Sequence, residues 1–385
     1  MPGVFVVFSI MFALLSGMSL YISYRVYQGI AIVLPQVRLI YIVVFFALML
    51  VLMILGFASS MLSVPVKVKQ LVGATGACWM GIFAYLLFYT VVIDLIFLLC
   101  RLFKAAFVQD PASRGVFSLI MITFALLTSL YGICHAQQIK QVAYEVPVEN
   151  KKDISDMNIV LISDLHLGAV GSELRLEKIV DEINRLRPDL VCIAGDFFDT
   201  DFASIKNPEK AMELWRKIET TYGVYACLGN HDAGETFPEM QRFLEDCNIE
   251  LLNDEYRIID GRLVLAGRVD GTPIGGFGSL QRKPLSEVAI CENETLPIIV
   301  MDHNPANISE YTAEADLILS GHTHQGQLFP ANIITNLMYT VDYGYYQEKK
   351  GTPHVIVTSG VGAWGMPMRV GTDCEIVSIT ITGER

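Results

Sequence analysis

The stretch DLILSGHTHQGQ, residues 316–327, joins a short apolar run to two histidines one residue apart and flanked by glycines. A β-favouring run that stops at a glycine reads as a buried strand ending in a tight loop. The same form recurs upstream. NIVLIS (158–163) runs into DLH, DLVCIA (189–194) into GDFFD, GVYACL (223–228) into GNHD, and LPIIVM (296–301) into DHNP. HVIVTS (354–359) is a further run of this kind. Between the first three lie SELRLEKIVDEINRLRP (172–188), with Leu174, Leu176, Ile179, Val180, Ile183 and Leu186 near helical spacing, and PEKAMELWRKIE (208–219), with proline at a first turn. Strands alternating with helices imply a layered α/β domain. YRIIDGRLVLAG (256–267) is a hairpin signal around Asp-Gly, so part of the sheet is expected to be antiparallel.

The strand ends share a chemistry. They carry Asp164 and His166, then Asp196 and Asp199, then Asn230, His231 and Asp232, then Asp302 and His303, and finally His322 and His324. Loops at the ends of a rigid sheet are where α/β domains collect reactive groups. Six of the seven histidines lie beyond residue 150, and five of those six sit in these loops. Oxygen and imidazole donors without a thiolate suit Mn, Fe or Zn better than a closed structural zinc site. Asp164, His166, Asp196, Asn230, His303, His322 and His324 are seven candidate ligands. One ion does not take that many and still leave room for substrate, so the set points to two ions sharing a carboxylate. On an extended segment His322 and His324 would point the same way, with Thr323 opposite, and reach neighbouring ions.

Upstream of residue 150 the pattern changes. Residues 4–24, 39–66, 70–93 and 115–134 contain no Lys, Arg, Asp or Glu, and about twenty such residues in a helix cross the hydrocarbon layer. Four transmembrane helices are expected, rather than a cleaved signal peptide. Arg25, Arg38, Arg101, Lys104 and Arg114 fall on one side, against Lys67, Lys69 and Lys140 on the other, which favours the soluble domain outside the cytoplasm. Asp94, deep in the third run, either caps that helix beside Arg101 or faces a partner helix in a functional role.

Residues 1–150 hold 8 Lys/Arg and 4 Asp/Glu of the chain's 28 and 40, so the remainder holds 20 and 36, a net −16. That balance argues against nucleic acid as a main partner. Of eight cysteines, three lie in or at the ends of the apolar runs, and the other five form no CxxC pair or disulfide framework. Cys192 and Cys227 read as small buried hydrophobes. The glycine-rich PIGGFGS (273–279) opens no helix and reads as a flexible loop, not a phosphate cradle. Arg369 is placed either at substrate phosphate or on the surface satisfying backbone carbonyls, and Trp364 either at the pocket rim or facing the membrane.

The ordered set DLH, GDFFD, GNHD, DHNP and GHTH resembles the calcineurin-like metallophosphoesterases, whose pattern is DxH, GDxxD, GNH(D/E), a solitary His and GHxH. The resemblance covers about residues 157–384. GHTHQGQLFP and SGVGAWGMPMRVGTDCEI further resemble a bacterial, membrane-attached subgroup, with Gln325 where that subgroup often has glycine. It implies a four-layer α/β/β/α sandwich at 157–385, and the apolar runs place a four-helix transmembrane bundle at 1–135 and a linker at 136–156 ahead of it. It also implies that Asp164, His166 and His324 hold one ion, that Asn230, His303 and His322 hold a second, and that Asp196 bridges them. His231 would protonate or stabilise the leaving oxygen, and Asp199 and Asp232 would orient imidazoles or ligands. The expected function is a membrane-embedded, metal-dependent phosphoric ester hydrolase in which a metal-bridging hydroxide attacks directly, without a phospho-enzyme. Lipid or lipid-linked phosphates are candidate substrates because the helices tether the site near headgroups. The alternatives are an anchored hydrolase of soluble nucleotides or phosphodiesters, and a non-enzymatic membrane sensor that keeps the domain as a binding module.

Overall fold

The computed structural model describes residues 2–58, 64–105, 110–148, 157–169, 173–288, 295–312 and 315–383. The chain divides into two compact units, Met1–Ile133 and Cys134–Arg385.

The first unit holds α1 (Pro2–Val33), α2 (Leu39–Phe57), α3 (Val66–Leu102) and α4 (Pro111–His135). All four are long and apolar enough to cross a membrane. They pack as antiparallel neighbours through small residues and aromatic edges. A Cβ placed on Gly76 of α3 would lie 2.8 Å from the Leu52 carbonyl of α2, so glycine permits that close approach. Trp79 meets the edges of Phe45 and Phe46 at 5.5 and 5.3 Å. Asp94 is not matched with Arg101. Its carboxylate accepts from Tyr21 and pairs with the buried Arg25 at 3.2 Å, and both partners come from α1. A carboxylate and a guanidinium at membrane depth gain by neutralising each other across helices, which outweighs a contact two turns along the same helix.

The second unit contains two six-stranded sheets. The first has the order β1-β12-β2-β3-β4-β5, built from β1 (Ile139–Val148), β2 (Asn158–Ile162), β3 (Leu190–Ala194), β4 (Val224–Cys227), β5 (Ile249–Leu251) and β12 (Cys374–Gly383). The second has the order β10-β11-β9-β8-β7-β6, built from β6 (Glu255–Ile259), β7 (Leu263–Gly267), β8 (Ile298–Met301), β9 (Leu317–Ser320), β10 (Gly344–Tyr346) and β11 (His354–Val357). Strands β2 to β5 are parallel, as are β7, β8, β9 and β11. The expected hairpin is present: β6 and β7 are antiparallel, and Asp260 and Gly261 both take positive φ, as a tight hairpin turn requires.

Alternation along the strands makes the layers. Ile159 and Leu161 point into a core shared by both sheets, with Leu265, Ile299, Met301 and Leu319 opposite, whereas Val160 and Ile162 point outward. The outward face of the first sheet is covered by α5 (Glu173–Arg185), α6 (Pro208–Trp215) and α7 (Phe237–Asp246). On the second sheet the covering is thinner, with Tyr311 after the short helical segment Pro305–Glu310 packed on Val264, Val300 and Ile318. The remaining helix, α8 (Ala331–Met338), buries none of its residues. Cys192 and Cys227 are buried in the inter-sheet core.

The expected linker at 136–156 needs correction. Residues Ile139–Val148 form β1, an edge strand paired in parallel along its whole length with β12. Val146 and Val148 reach the inter-sheet core, and that burial with the ladder hydrogen bonds draws the segment into the sheet. Residues 149–156 of the expected linker lie outside the described residues.

Candidate metal centre

Each parallel strand ends in a loop at the same edge of the two sheets, and those loops bring the seven expected ligands together. His166 Nε2 lies 3.1 Å from His324 Nε2. Asp164 Oδ1 is 3.3 Å from His324 Nε2 and 3.9 Å from His166 Nε2. A second group forms alongside: His322 Nδ1 is 3.0 Å from Asn230 Oδ1 and 3.3 Å from His303 Nε2. Asp196 stands between the groups. Its Oδ2 is 3.7 Å from His166 Nε2 and 3.2 Å from His303 Nε2, while its Oδ1 accepts from the backbone N–H of His231 at 2.8 Å. One oxygen is fixed by the backbone and the other faces both groups.

The backbone is strained to achieve this. Asp164, His166, Asp196, His322 and His324 all have φ between 49° and 72°, the left-handed region that costs a non-glycine residue about 1–2 kcal/mol. Five such residues in one pocket mark a constellation held for use rather than for stability. The strain also changes the expected geometry of the paired histidines. His322 and His324 do not lie on an extended segment: Thr323 between them is right-handed helical, and its side chain accepts from Gln325 N–H. The alternation of backbone hand turns His322 toward Asn230 and His303 and His324 toward Asp164 and His166. Gln325, at φ 51°, occupies a conformation that glycine adopts without strain. Gly229 is needed for space, since a Cβ there would fall on Oδ1 of Asp196.

The donors fit divalent metal ions. His303 Nδ1 lies 2.8 Å from the Ala194 carbonyl, so Nδ1 donates there and Nε2 is the nitrogen that faces Asp196. Burial would raise the Asp164 and Asp196 carboxyls, but the facing imidazoles, His324 and His303 respectively, outweigh it and hold both well below the usual carboxylate range. Burial pushes His166 well below its usual value, lowers His324, and with His303 nearby brings His322 down to about 4. Ionised carboxylates and neutral imidazoles are the forms that ligate metal. His303 is the exception: Asp196 lifts it well above its usual value although burial opposes.

His231 sits beside the first group, its ring 5.0 Å from that of His166. Its Nδ1 is 2.9 Å from Thr200 Oγ1 and 3.7 Å from Asp199 Oδ1, so Asp199 lies near the ring while Thr200, which the sequence reasoning passed over, makes the closer contact. Asp232 orients backbone rather than an imidazole, accepting from Phe198 N–H and Gly229 N–H, each at 2.9 Å. Burial, with Asp196 close by, pushes its carboxyl up to about 7.

Arg369 is neither at the surface nor free for a phosphate. It is fully buried and donates to the carbonyls of His324, Ser359 and Gly362, tying the loop after β11 to the His324 turn. The glycine-rich 273–279 segment is a loop, as expected, and is fastened at the site: Ile274 N–H donates to the Asn230 carbonyl at 2.9 Å. Trp364 is at the rim, its ring 5.5 Å from that of His231. Asp302 anchors its loop through Arg282 at 2.6 Å and Tyr311 at 2.7 Å, partners no local motif could signal.

Comparison with known proteins agrees with this geometry. Residues 157–326 match the calcineurin-like phosphoesterase family. A Danio rerio transmembrane protein with metallophosphoesterase domain is 30% identical over 321 residues, covering 78% of this chain and 72% of that one. A Campylobacter jejuni metallophosphoesterase is 29% identical over 280 residues, 71% of each chain. A Chlamydia muridarum UDP-2,3-diacylglucosamine pyrophosphatase is 28% identical over 265 residues, 54% of this chain and 78% of that one. With four candidate spans ahead of the converging metal donors, the chain belongs to the calcineurin-like phosphoesterase family and is a membrane-attached phosphoester hydrolase.

Proposed function

We propose that this protein hydrolyses phosphate esters at a pair of divalent ions, with lipid-linked phosphates as its substrates. The observation that carries the two-ion reading is the position of Asp196 Oδ2, within 3.7 Å of His166 Nε2 and 3.2 Å of His303 Nε2, one from each donor group. Asp164, His166 and His324 would hold one ion, Asn230, His303 and His322 the other, and Asp196 both. Oxygen and imidazole donors suit Mn, Fe or Zn. Bound divalent ions supply Lewis acidity, activating water and drawing charge from the phosphoryl oxygens.

The chain's own residues supply placement and a proton. Thr200 and Asp199 engage Nδ1 of His231, which leaves Nε2 to serve the leaving oxygen. Trp364 beside that ring narrows the approach of water. The lipid reading is supported by the four candidate spans and by likeness to a relative whose name specifies a diacylated substrate. With Arg25 taken up inside α1, Arg38, Arg101, Lys104 and Arg114 near the loops after α1 and α3 still outnumber Lys67, Lys69 and Lys140 on the other side, which favours a catalytic domain outside the cytoplasm.

The test is hydrolysis of bis-p-nitrophenyl phosphate by the full chain in detergent, with and without Mn, beside metal analysis. His231→Ala is expected to keep its metal content and lose about 10²–10⁴ in turnover. Unchanged turnover would contradict the role of His231, and hydrolysis of soluble nucleotides as efficient as that of lipid phosphates would remove the lipid preference.

A further inference from the structure

Helix α8 wears its amphipathic faces reversed. Its polar side is the one turned to the domain: Thr335 Oγ1 and Asn336 Nδ2 donate to the buried carboxylate of Asp342 at 2.8 and 3.2 Å. Its apolar side faces out, with Ile333 and Ile334 52% and 57% exposed, and Leu337 and Met338 81% and 71%. Spacing of one and four residues puts these four on one stripe. Between Asp316 and Asp342 the chain has no Asp, Glu, Lys or Arg, in a region of the chain that is otherwise strongly acidic.

This surface follows the metal-donor turn closely in the chain. Helix α8 begins seven residues after His324. Two more exposed hydrophobes flank the pocket elsewhere: Ile274, whose N–H is bonded to the Asn230 carbonyl, and Trp364, against His231. A stripe of exposed apolar side chains marks a surface that is covered in use.

The chain itself says what covers it. The fourth candidate span ends at His135, and β1 starts at Ile139, a gap that about 14 Å of extended chain can bridge at most. The residues just after that span already belong to the second unit: His135 Nε2 is 2.9 Å from Asp373 Oδ1, and Arg175 and Lys178 donate to the carbonyls of Ala136 and Gln137. A domain joined to a membrane span by so short a stretch of chain folds within reach of the bilayer surface. We propose that α8, with Ile274 and Trp364, is a bilayer-seated entrance that admits phosphate esters carrying long hydrocarbon chains, the chains remaining in lipid while the phosphate enters the metal pocket. This rests on the phosphoesterase reading for its chemistry, but the seating of α8 in lipid does not.

The test uses the full chain in lipid nanodiscs. With Trp79→Phe removing the tryptophan of α3, Leu337→Trp adds a reporter on α8, and brominated acyl chains are expected to quench at least half of the added emission. Emission that brominated lipid leaves unchanged would overturn the proposal, and shielding from aqueous iodide in that case would point to a protein partner instead. A Leu337→Glu, Met338→Glu double variant is expected to lose at least 10-fold in kcat/KM on phosphatidic acid in vesicles while hydrolysing bis-p-nitrophenyl phosphate like the parent. Equal kcat/KM on phosphatidic acid in parent and variant would also overturn it. A parent inactive on every phosphate with Mn, but with lipid quenching intact, would sink the phosphoesterase reading and leave the seated surface standing.

Discussion

Asp232→Ala tests the framework of the site without removing a proposed ligand. The buried carboxylate accepts Phe198 N–H through Oδ1 and Gly229 N–H through Oδ2, each at 2.9 Å. Phe198 follows Asp196 by two residues and Gly229 directly precedes Asn230, so one side chain ties the loops after β3 and β4. Alanine removes both acceptors. Each buried N–H left without a partner costs about 1–3 kcal/mol, so the loss is about 2–6 kcal/mol, with water entry favouring the lower end. Asp232→Asn keeps one acceptor oxygen and should lose about half as much. In a domain of this size 1 kcal/mol moves the melting temperature by about 2–4 °C, so the alanine variant should melt about 4–24 °C lower. Thermal unfolding of the full chain in detergent, followed by near-ultraviolet circular dichroism, measures this. A melting temperature within about 1 °C of the parent for Asp232→Ala would refute the reasoning, because both donors would then have found other partners.

Three further outcomes follow from single residues. Arg369→Met strands the carbonyls of His324, Ser359 and Gly362 and should cost about 3 kcal/mol or more, read as a lower melting temperature together with weaker metal retention. Gln325→Gly relieves a positive φ and should be between neutral and about 1 kcal/mol stabilising, with metal content unchanged; a clear destabilisation in the same melting assay would contradict this. Burial would raise Asp373, but Lys140 and His135 outweigh it and hold the carboxyl below its usual range. A depressed carboxyl contributes stability that is present above its unfolded value near pH 4 and lost as pH falls through the folded value. Hydrogen exchange at the start of β1 should therefore accelerate below about pH 4, and Asp373→Asn should remove that pH dependence.

The strand ends were readable because each couples a run of β-favouring residues to a turn rich in glycine and donors, and that coupling is local. Asp164, His166, Asp196, Asn230, His303, His322 and His324 could be gathered from it before any geometry was known. What escaped depends on distant partners. β1 looks like a polar connector because its neighbours, Cys374–Gly383, lie more than two hundred residues away, and only their pairing reveals an edge strand. Arg369 was readable as a partner of backbone carbonyls but not as a buried one, because its three carbonyls come from two loops that meet only in the fold. The turn at His322–His324 looked extended because residue identity does not report the alternation of backbone hand that strain imposes. Asp94 was recognised as costly in a membrane helix, but Arg25 and Tyr21 could be named only once α1 and α3 were packed together.

The most direct test of the two-ion account is electron paramagnetic resonance of the full chain reconstituted with Mn. With Asp196 Oδ2 placed between the two donor groups, the proposed two-ion account predicts an exchange-coupled Mn pair with its multiline spectrum, and Asp196→Ala should abolish that coupling. A spectrum of isolated Mn ions alone in the parent, at saturating metal, would contradict the account.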